Sequence, residues 1–200
     1  LARIKTQLDL NRIFDIAGRF VPNAFIKSLG KDRITDVNLG DLAHKDVTVL
    51  FADIRAYTTI SEQMTPEENF NFINAYNNRM GPIIQKNHGF VNQYLGDAIM
   101  ALFPTRPQDA LTSAIEIHKK LTSYNEGREK KGRLPIRIGI GLHTGPLIMG
   151  ITGDDQRMDA AIISDTVNSA SRVESLSKYY SANILLSEDS INMLARPADF

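Results

Sequence analysis

The sequence predicts an α+β fold: a ferredoxin-like antiparallel sheet with helices packed on it, preceded by a helical segment. Three observations predict it. Short β-branched apolar runs alternate with segments of helical period in the order β-α-β-β-α-β, the split βαβ pattern. The pair Gly96-Asp97 lies between two apolar runs and indicates a hairpin. A length of 200 residues with 42% hydrophobic content fits one domain.

Residues 1–45 are predicted to be a helical connector that precedes the domain at residues 46–200. A helix over 1–18 has coiled-coil spacing in its first half only. A second helix over 23–29 leads into a polar linker over 31–45. Two interpretations stay open, a docking extension of the domain or a connector from an upstream sensor. Because the chain begins in mid-pattern, we expect it to be part of a longer protein.

The first half of the domain is predicted to be a strand, a long helix and a hairpin. Residues 46–53 are a β-branched run typical of a buried strand. The helix begins at Pro66, after the N-cap Thr65 and before two acidic residues. Strands over 90–94 and 98–103 form the hairpin. The residues predicted to line the buried face of the helix are Phe70, Ile73, Tyr76, Met80 and Ile84.

The second half repeats the alternation of helices and strands. Thr144-Gly145 is predicted to be a turn between two strands. The last long helix is predicted to pack on the sheet through an apolar face of Val167, Ala170, Val173 and Leu176. The predicted elements are a helix over 108–129, strands over 136–143 and 147–151, a helix over 165–180, a strand over 183–186 and a helix over 188–194.

Composition excludes several classes of function. The chain has 23 basic and 23 acidic residues, which argues against a non-specific nucleic-acid binder. It has no cysteine, which excludes disulfides, Cys-ligated zinc and thiol nucleophiles. Its apolar runs reach about six residues, against roughly 20 for a membrane span. We expect a cytoplasmic domain, and membrane attachment of the full-length protein stays open.

Two aspartates are predicted to meet at one edge of the sheet. Asp53 closes the first strand and Asp97 lies at the hairpin tip. Alone, each is an ordinary cap or turn residue. The split βαβ pattern makes their strands neighbours. Two close carboxylates repel unless a cation lies between them, and oxygen ligands suit Mg²⁺.

A second pair lies on the last long helix. Asn168 and Arg172 are four residues apart and therefore share a face. Arginine offers a planar fork of donors that suits phosphate oxygens. Taken alone, this pair is typical of a solvated helix face.

These residues, in this order, resemble the class III nucleotidyl cyclases, the catalytic domains of adenylate and guanylate cyclases. The resemblance runs from Val47 to about Leu194 and implies the palm-like form of the sheet. The segments that carry it are VTVLFADIRAYTTISE (47–62), GDAIMALF (96–103), RIGIGLHTG (137–145) and DTVNSASR (165–172).

The resemblance implies a role for each matched residue. Asp53, Asp97 and the backbone carbonyl of Ile54 match the ligands of two Mg²⁺ or Mn²⁺ ions. Asn168 and Arg172 match residues that act on the transition state. The family reaction converts ATP, or GTP as the alternative, into a 3′,5′-cyclic nucleotide and pyrophosphate. It takes place at sites shared by a head-to-tail homodimer.

Four further positions are expected to contact the nucleotide. Tyr57 and Thr58 follow the first metal aspartate. Gln93 and Ala161 stand where the family reads the purine, and they match neither the usual adenylate pair nor the usual guanylate pair. We expect cyclic AMP as the product, with a guanylate cyclase or a degenerate nucleotide-binding module as alternatives. The resemblance also implies a final strand pair beyond Phe200.

Overall fold

The computed structural model describes residues 2–195, with side chains from residue 6 onward. Seven helices and six strands lie in this part of the chain. The helices are α1 (Ala2–Phe20), α2 (Asn23–Ser28), α3 (Tyr57–Ser61), α4 (Pro66–Lys86), α5 (Pro107–Glu129), α6 (Asp165–Tyr179) and α7 (Glu188–Asn192). The strands are β1 (Leu42–Ile54), β2 (Phe90–Leu95), β3 (Ala98–Phe103), β4 (Ile138–Gly153), β5 (Met158–Ile163) and β6 (Ile184–Leu186).

The strands form one sheet with the order β2-β3-β1-β4-β5, and β6 pairs in parallel with β4. β3 is antiparallel to both β1 and β2 and lies between them. The α4 helix connects β1 to β2, so these elements form the split βαβ unit that the sequence predicts. The α+β fold and its antiparallel sheet are therefore confirmed.

The chain divides into two compact units. The larger comprises Asp46–Pro146 and Ser164–Phe200, and the smaller comprises Leu1–Lys45 and Leu147–Ile163. In the larger unit, α4 and α5 pack on one another and contact the hairpin strands. In the smaller unit, β5 pairs with the end of β4, and α2 buries Phe25 and Ile26.

The N-terminus of α4 forms as the sequence predicts. The Thr65 hydroxyl accepts the Glu68 N–H, and the Glu68 carboxylate accepts the Thr65 N–H, which together make a capping box. The buried face differs at one position. Phe70 is exposed, and Phe72 takes its place in the core. The prediction failed there because two phenylalanines two residues apart cannot share one helical face.

The predicted turn at Thr144-Gly145 is wrong. Residues 138–153 form one continuous strand, β4, whose hairpin partner is β5. The turn lies instead at 154–157, where the Asp154 side chain accepts the N–H groups of Gln156 and Arg157. A Thr-Gly pair is a common turn signal, but here Gly145 leaves space for the side chain of Thr166. A Cβ on Gly145 would lie 2.8 Å from the Thr166 hydroxyl.

The buried face of α6 also differs from the prediction. Small and polar residues face the sheet, namely Thr166, Ala170, Glu174 and Ser177. Leu176 is exposed, and Val167 and Val173 are only partly buried. The cause is close packing of helix on strand. A Cβ on Gly141 would lie 2.5 Å from the Glu174 Cα and 2.8 Å from the Ala170 carbonyl oxygen.

We predict that Gly141→Ala lowers the free energy of unfolding by about 1–3 kcal/mol, because the added methyl meets helix backbone that must shift. Gly127→Ala is the matched control. Gly127 is in α5 with no atom within 4 Å of the added Cβ, and alanine is the better helix former. Urea denaturation of both variants measures the difference. An unchanged Gly141→Ala midpoint would contradict the packing argument.

Candidate active site

The end of β1 and the tip of the β2–β3 hairpin bring Asp53 and Asp97 together. In the β1–β3 register, Asp53 lies opposite Ala98, the residue that follows Asp97. Gly96 adopts a positive φ of 65°, which lets the chain reverse immediately before Asp97. The juxtaposition expected from the strand order is therefore present.

Burial makes this acid pair unfavourable as it stands. The pKa of Asp97 is raised to about 6, first by desolvation and then by the nearby Asp53 carboxyl. Oδ1 of Asp53 is buried and has no hydrogen-bond partner. Beneath them, the hydroxyl of fully buried Tyr76 is also unpartnered. Desolvation, followed by the charges of both aspartates, raises the pKa of Tyr76. A cation would satisfy all the charge that this arrangement leaves unpaired.

The acid pair opens into a cavity of about 550 Å³. Ile54, the residue after Asp53, also lines this cavity. Tyr57 and Thr58, the first residues of α3, form part of its wall. Two cationic residues, Arg137 and Lys178, complete a setting suited to an anionic ligand.

Arg55 connects the carboxyl end of β1 to helix α6. Its guanidinium lies 3.6 Å from the Glu174 carboxylate and donates a hydrogen bond to the Ser177 hydroxyl. Gly139 supplies the space, because a Cβ there would collide with the guanidinium. The pKa of Glu174 is nevertheless raised, chiefly by desolvation and then by the charge of Asp53. The contacts of Arg55 therefore connect α6 to the strand that carries Asp53.

Asn168 and Arg172 lie away from this cavity. Both are exposed, one turn apart on α6, and neither forms part of the cavity wall. Within the described residues, the structure shows no ion pair for Arg172. Gln93 is exposed on β2 opposite Met100. Ala161 is a half-buried residue of β5 opposite Gly150, in the smaller unit.

Sequence reasoning did not identify three residues that shape the site. Tyr76 was assigned to the core by its helical spacing, and no sequence signal indicates that its hydroxyl faces two carboxylates. Arg55 and Glu174 are far apart in the chain, so their ion pair follows only from the fold. The one available signal for Arg55 was its place between Asp53 and the start of α3.

The donor set fits a hard divalent cation. Across residues 2–195 there is no cluster of three or more His, Cys, Asp or Glu side chains that could hold a metal. The chain thus offers two carboxylates and one backbone carbonyl. Mg²⁺ is commonly bound by one or two carboxylates, with waters and substrate phosphates completing its octahedron. The orphaned Oδ1 of Asp53 is the atom that such an ion would satisfy.

Solved structures identify the class of fold. A bacterial light-regulated adenylyl cyclase superposes over 97% of this chain and 57% of its own, with a TM-score of 0.83 and 23% identity, which establishes the palm-like fold. The adenylyl cyclase CyaB from P. aeruginosa is 32% identical, with a TM-score of 0.69 over 76% of this chain and 81% of its own. The guanylyl cyclase Cya2 is 28% identical, with a TM-score of 0.67 over 76% of this chain and 79% of its own.

The family follows from the sequence match. A family model described as the adenylate and guanylate cyclase catalytic domain matches residues 41–200, and the chain belongs to that family of nucleotidyl cyclases, which are lyases. An adenylate cyclase of Anabaena cylindrica is 41% identical over 96% of this chain, and the terminal-differentiation specific adenylate cyclase of Dictyostelium discoideum is 31% identical over 97%. The matched regions span 39% and 9% of those proteins. Among the described residues, no helix is long and apolar enough to cross a membrane.

We predict that Asp97→Asn stabilises the metal-free protein at neutral pH. The folded-state pKa of Asp97, about 6, lies above its ordinary value of 3.8, so ionisation of this group destabilises the fold as pH rises from about 4 to 6. The substitution removes that cost, by about 1 kcal/mol after solvent screening. Thermal unfolding with chelator present should show the gain above pH 6 and its disappearance near pH 4. A gain that is equal at pH 4 and pH 8 would contradict the electrostatic cause.

Proposed function

We propose that this chain is the catalytic domain of an adenylate cyclase, which converts ATP to 3′,5′-cyclic AMP and pyrophosphate. The observation that carries the proposal is the half-buried acid pair, in which the buried Oδ1 of Asp53 has no hydrogen-bond partner beside Asp97 in an open cavity. Its family and its relatives named adenylate cyclase support the reaction. The domain acts as part of a longer cytoplasmic or membrane-attached protein with an upstream sensor.

Asp53, Asp97 and the Ile54 carbonyl would hold two Mg²⁺ or Mn²⁺ ions. Such ions favour deprotonation of a ribose hydroxyl and neutralise the charge of phosphates. The protein contributes a preorganised edge: strand pairing places Asp53 beside the hairpin tip that carries Asp97, and the buried side chain of Tyr76 lies close to both. Tyr57 and Thr58 line the wall where the triphosphate would lie.

The reaction forms one P–O bond and breaks another. The ribose 3′-hydroxyl gives its proton to water, its oxygen attacks the α-phosphorus, and the bond to pyrophosphate breaks as the ring closes. Arg172 would hydrogen-bond the oxygens of the transferred phosphoryl group as their negative charge grows. Asn168 would orient the ribose through its amide. Both roles are positioning and charge stabilisation, which supply most of the rate gain in phosphoryl transfer.

The position of Asn168 and Arg172 supports a shared active site. Neither residue forms part of the wall of the cavity that contains Asp53, although all three belong to the same compact unit. We therefore propose a head-to-tail homodimer in which one chain supplies the acid pair and its partner supplies the α6 residues. A single chain is then inactive.

Guanylate cyclase activity is the second candidate. Ala161 offers no polar atom and Gln93 can both donate and accept, so neither favours one purine strongly. A guanylyl cyclase C of Sus scrofa is 31% identical over 78% of this chain, and the chain spans 14% of that protein. The adenylate cyclases match more residues at equal or higher identity, and we prefer ATP for that reason.

We expect ATP to be the better substrate by a modest factor in kcat/KM. Gln93 and Ala161, which would contact the purine, offer few polar groups that the wrong base would leave unpaired. Initial rates with ATP and GTP, each with Mg²⁺ and Mn²⁺, measure kcat/KM for both. A higher kcat/KM for GTP would assign the chain to the guanylate cyclases. Absence of turnover with either purine, in a protein extended beyond Phe200, would favour the degenerate binding module.

The shared site predicts complementation between two inactive variants. Asp53→Ala removes a proposed metal ligand, and Arg172→Ala removes the arginine that would bind the transferred phosphoryl group. The homodimer of each variant should therefore lose at least about 100-fold in kcat. Random mixing of equal amounts should restore up to about a quarter of wild-type activity, since one of the two sites is intact in half the dimers. Lys130 is exposed, and Lys130→Ala is the control variant, whose activity should equal that of the wild type. Mixtures no more active than the separate variants would contradict the shared site.

A further inference from the structure

A second cavity contains a buried cation that the proposed reaction does not use. Arg128, near the end of α5, is only 4% exposed. Its Nε donates a hydrogen bond of 2.7 Å to the Leu134 carbonyl oxygen. Among the described residues, the structure shows no carboxylate within ion-pair distance of it. Burial of a charge without a counterion is costly, so this guanidinium is a candidate ligand-binding group.

Aromatic rings offset part of that cost. The guanidinium carbon of Arg128 lies 5.1 Å from the centroid of the Phe72 ring and 5.8 Å from that of the Tyr124 ring. Such cation–π contacts stabilise the charge but use the faces of the rings and leave the guanidinium edge able to donate. Its Nη groups are the donors suited to a planar anion, because a carboxylate accepts two parallel hydrogen bonds from them.

The cavity beside Arg128 has a volume of about 470 Å³, within the range of small-molecule sites. It lies between the end of α3, the first half of α4 and the loop after α5. Its walls are mostly apolar and include Ile60, Met64, Ala75 and Leu134. The apolar part of a ligand would therefore contact these walls, while the positive charge of Arg128 lies at one end of the cavity.

The one acidic residue of the cavity wall is engaged elsewhere. The Glu68 carboxylate accepts the Thr65 N–H at 2.8 Å in the α4 capping box. That backbone hydrogen bond, and more weakly the charge of Arg133, lower the pKa of Glu68, so it stays ionised in this position. Because Arg133 also lines the cavity, the site has two cations against one committed anion.

We propose that this cavity binds a small monocarboxylate with a flat apolar body, whose carboxylate pairs with Arg128 and whose body contacts Met64 and Leu134. A monoanion fits better than a phosphate, because Arg128 is the buried cation of the wall, whereas Arg133 is exposed and its charge acts on the nearby Glu68 carboxylate. The site is separate from the cavity of Asp53 and goes beyond the proposed cyclase activity. Ligand binding is therefore measurable whether or not the chain turns over ATP.

Benzoate is the probe, and neutral benzamide of the same shape is its control. We expect benzoate at millimolar concentration to shift the methyl NMR signals of Ile60 and Met64 saturably. We expect benzamide to bind at least about tenfold more weakly, because it lacks the charge that pairs with Arg128. No saturable shift with benzoate, or equal affinity for benzamide, would overturn the proposal. Displacement of benzoate by millimolar inorganic phosphate would also overturn it in favour of a general anion site.

Three variants test the residues. Arg128→Met removes the charge and should weaken benzoate binding at least about tenfold. Ala75→Met keeps the charge of Arg128 but fills the cavity, so it should also abolish benzoate binding. If Arg128→Met does not fold, Ala75→Met alone tests whether benzoate binds in the cavity. Lys130→Met removes a nearby exposed charge and should bind benzoate as wild type does. Undiminished binding by folded Arg128→Met or by Ala75→Met would place the benzoate elsewhere.

Discussion

Repulsion between two carboxylates held together by strand pairing is the interaction on which the site depends. The β1–β3 register holds Asp53 beside the hairpin tip that carries Asp97, and partial burial contributes to the raised pKa of Asp97. Neither residue is unusual alone, and their closeness comes from a sheet that places a hairpin tip beside a strand end. The acid pair is thus an unfavourable interaction at one edge of the sheet. Burial of core residues such as Tyr76, Met80 and Ile84 offsets its cost to the folded state.

The acidic residues near that edge differ in whether the chain supplies a cation for them. Arg55 forms an ion pair with Glu174, the third acid of the region, whereas no ion pair within the described residues involves Asp53 or Asp97. Desolvation still raises the pKa of Glu174, and its Oε1 has no hydrogen-bond partner. The glycines of β4 make this ion pair possible, since Gly139 accommodates the guanidinium and Gly141 accommodates the backbone of α6. These two glycines therefore determine how closely α6, with Asn168 and Arg172, approaches the sheet.

The fold was largely predictable because its signals are local. Hydrophobic period, the Thr65 cap and the Gly96 turn each act within a few residues and agree with one another. The long strand β4 was missed because its glycines provide clearance for a helix, a tertiary requirement that looks like a turn in the sequence. The apolar face of α6 was assigned wrongly for the same reason: close packing selects small side chains, and Leu176 remains exposed. The acid pair was predictable from strand order, whereas the closeness of the Tyr76 hydroxyl to that pair and the burial of Arg128 required the packed structure. The roles of the individual site residues remain predictions.

The short helix α3 forms a wall of two chambers. Tyr57 and Thr58 face the chamber of the acid pair, and Ile60 faces the chamber of Arg128. Five residues are too few for a helix to persist on its own, and α3 follows Ala56 in a left-handed conformation. Local unwinding of this one turn would therefore open both chambers together.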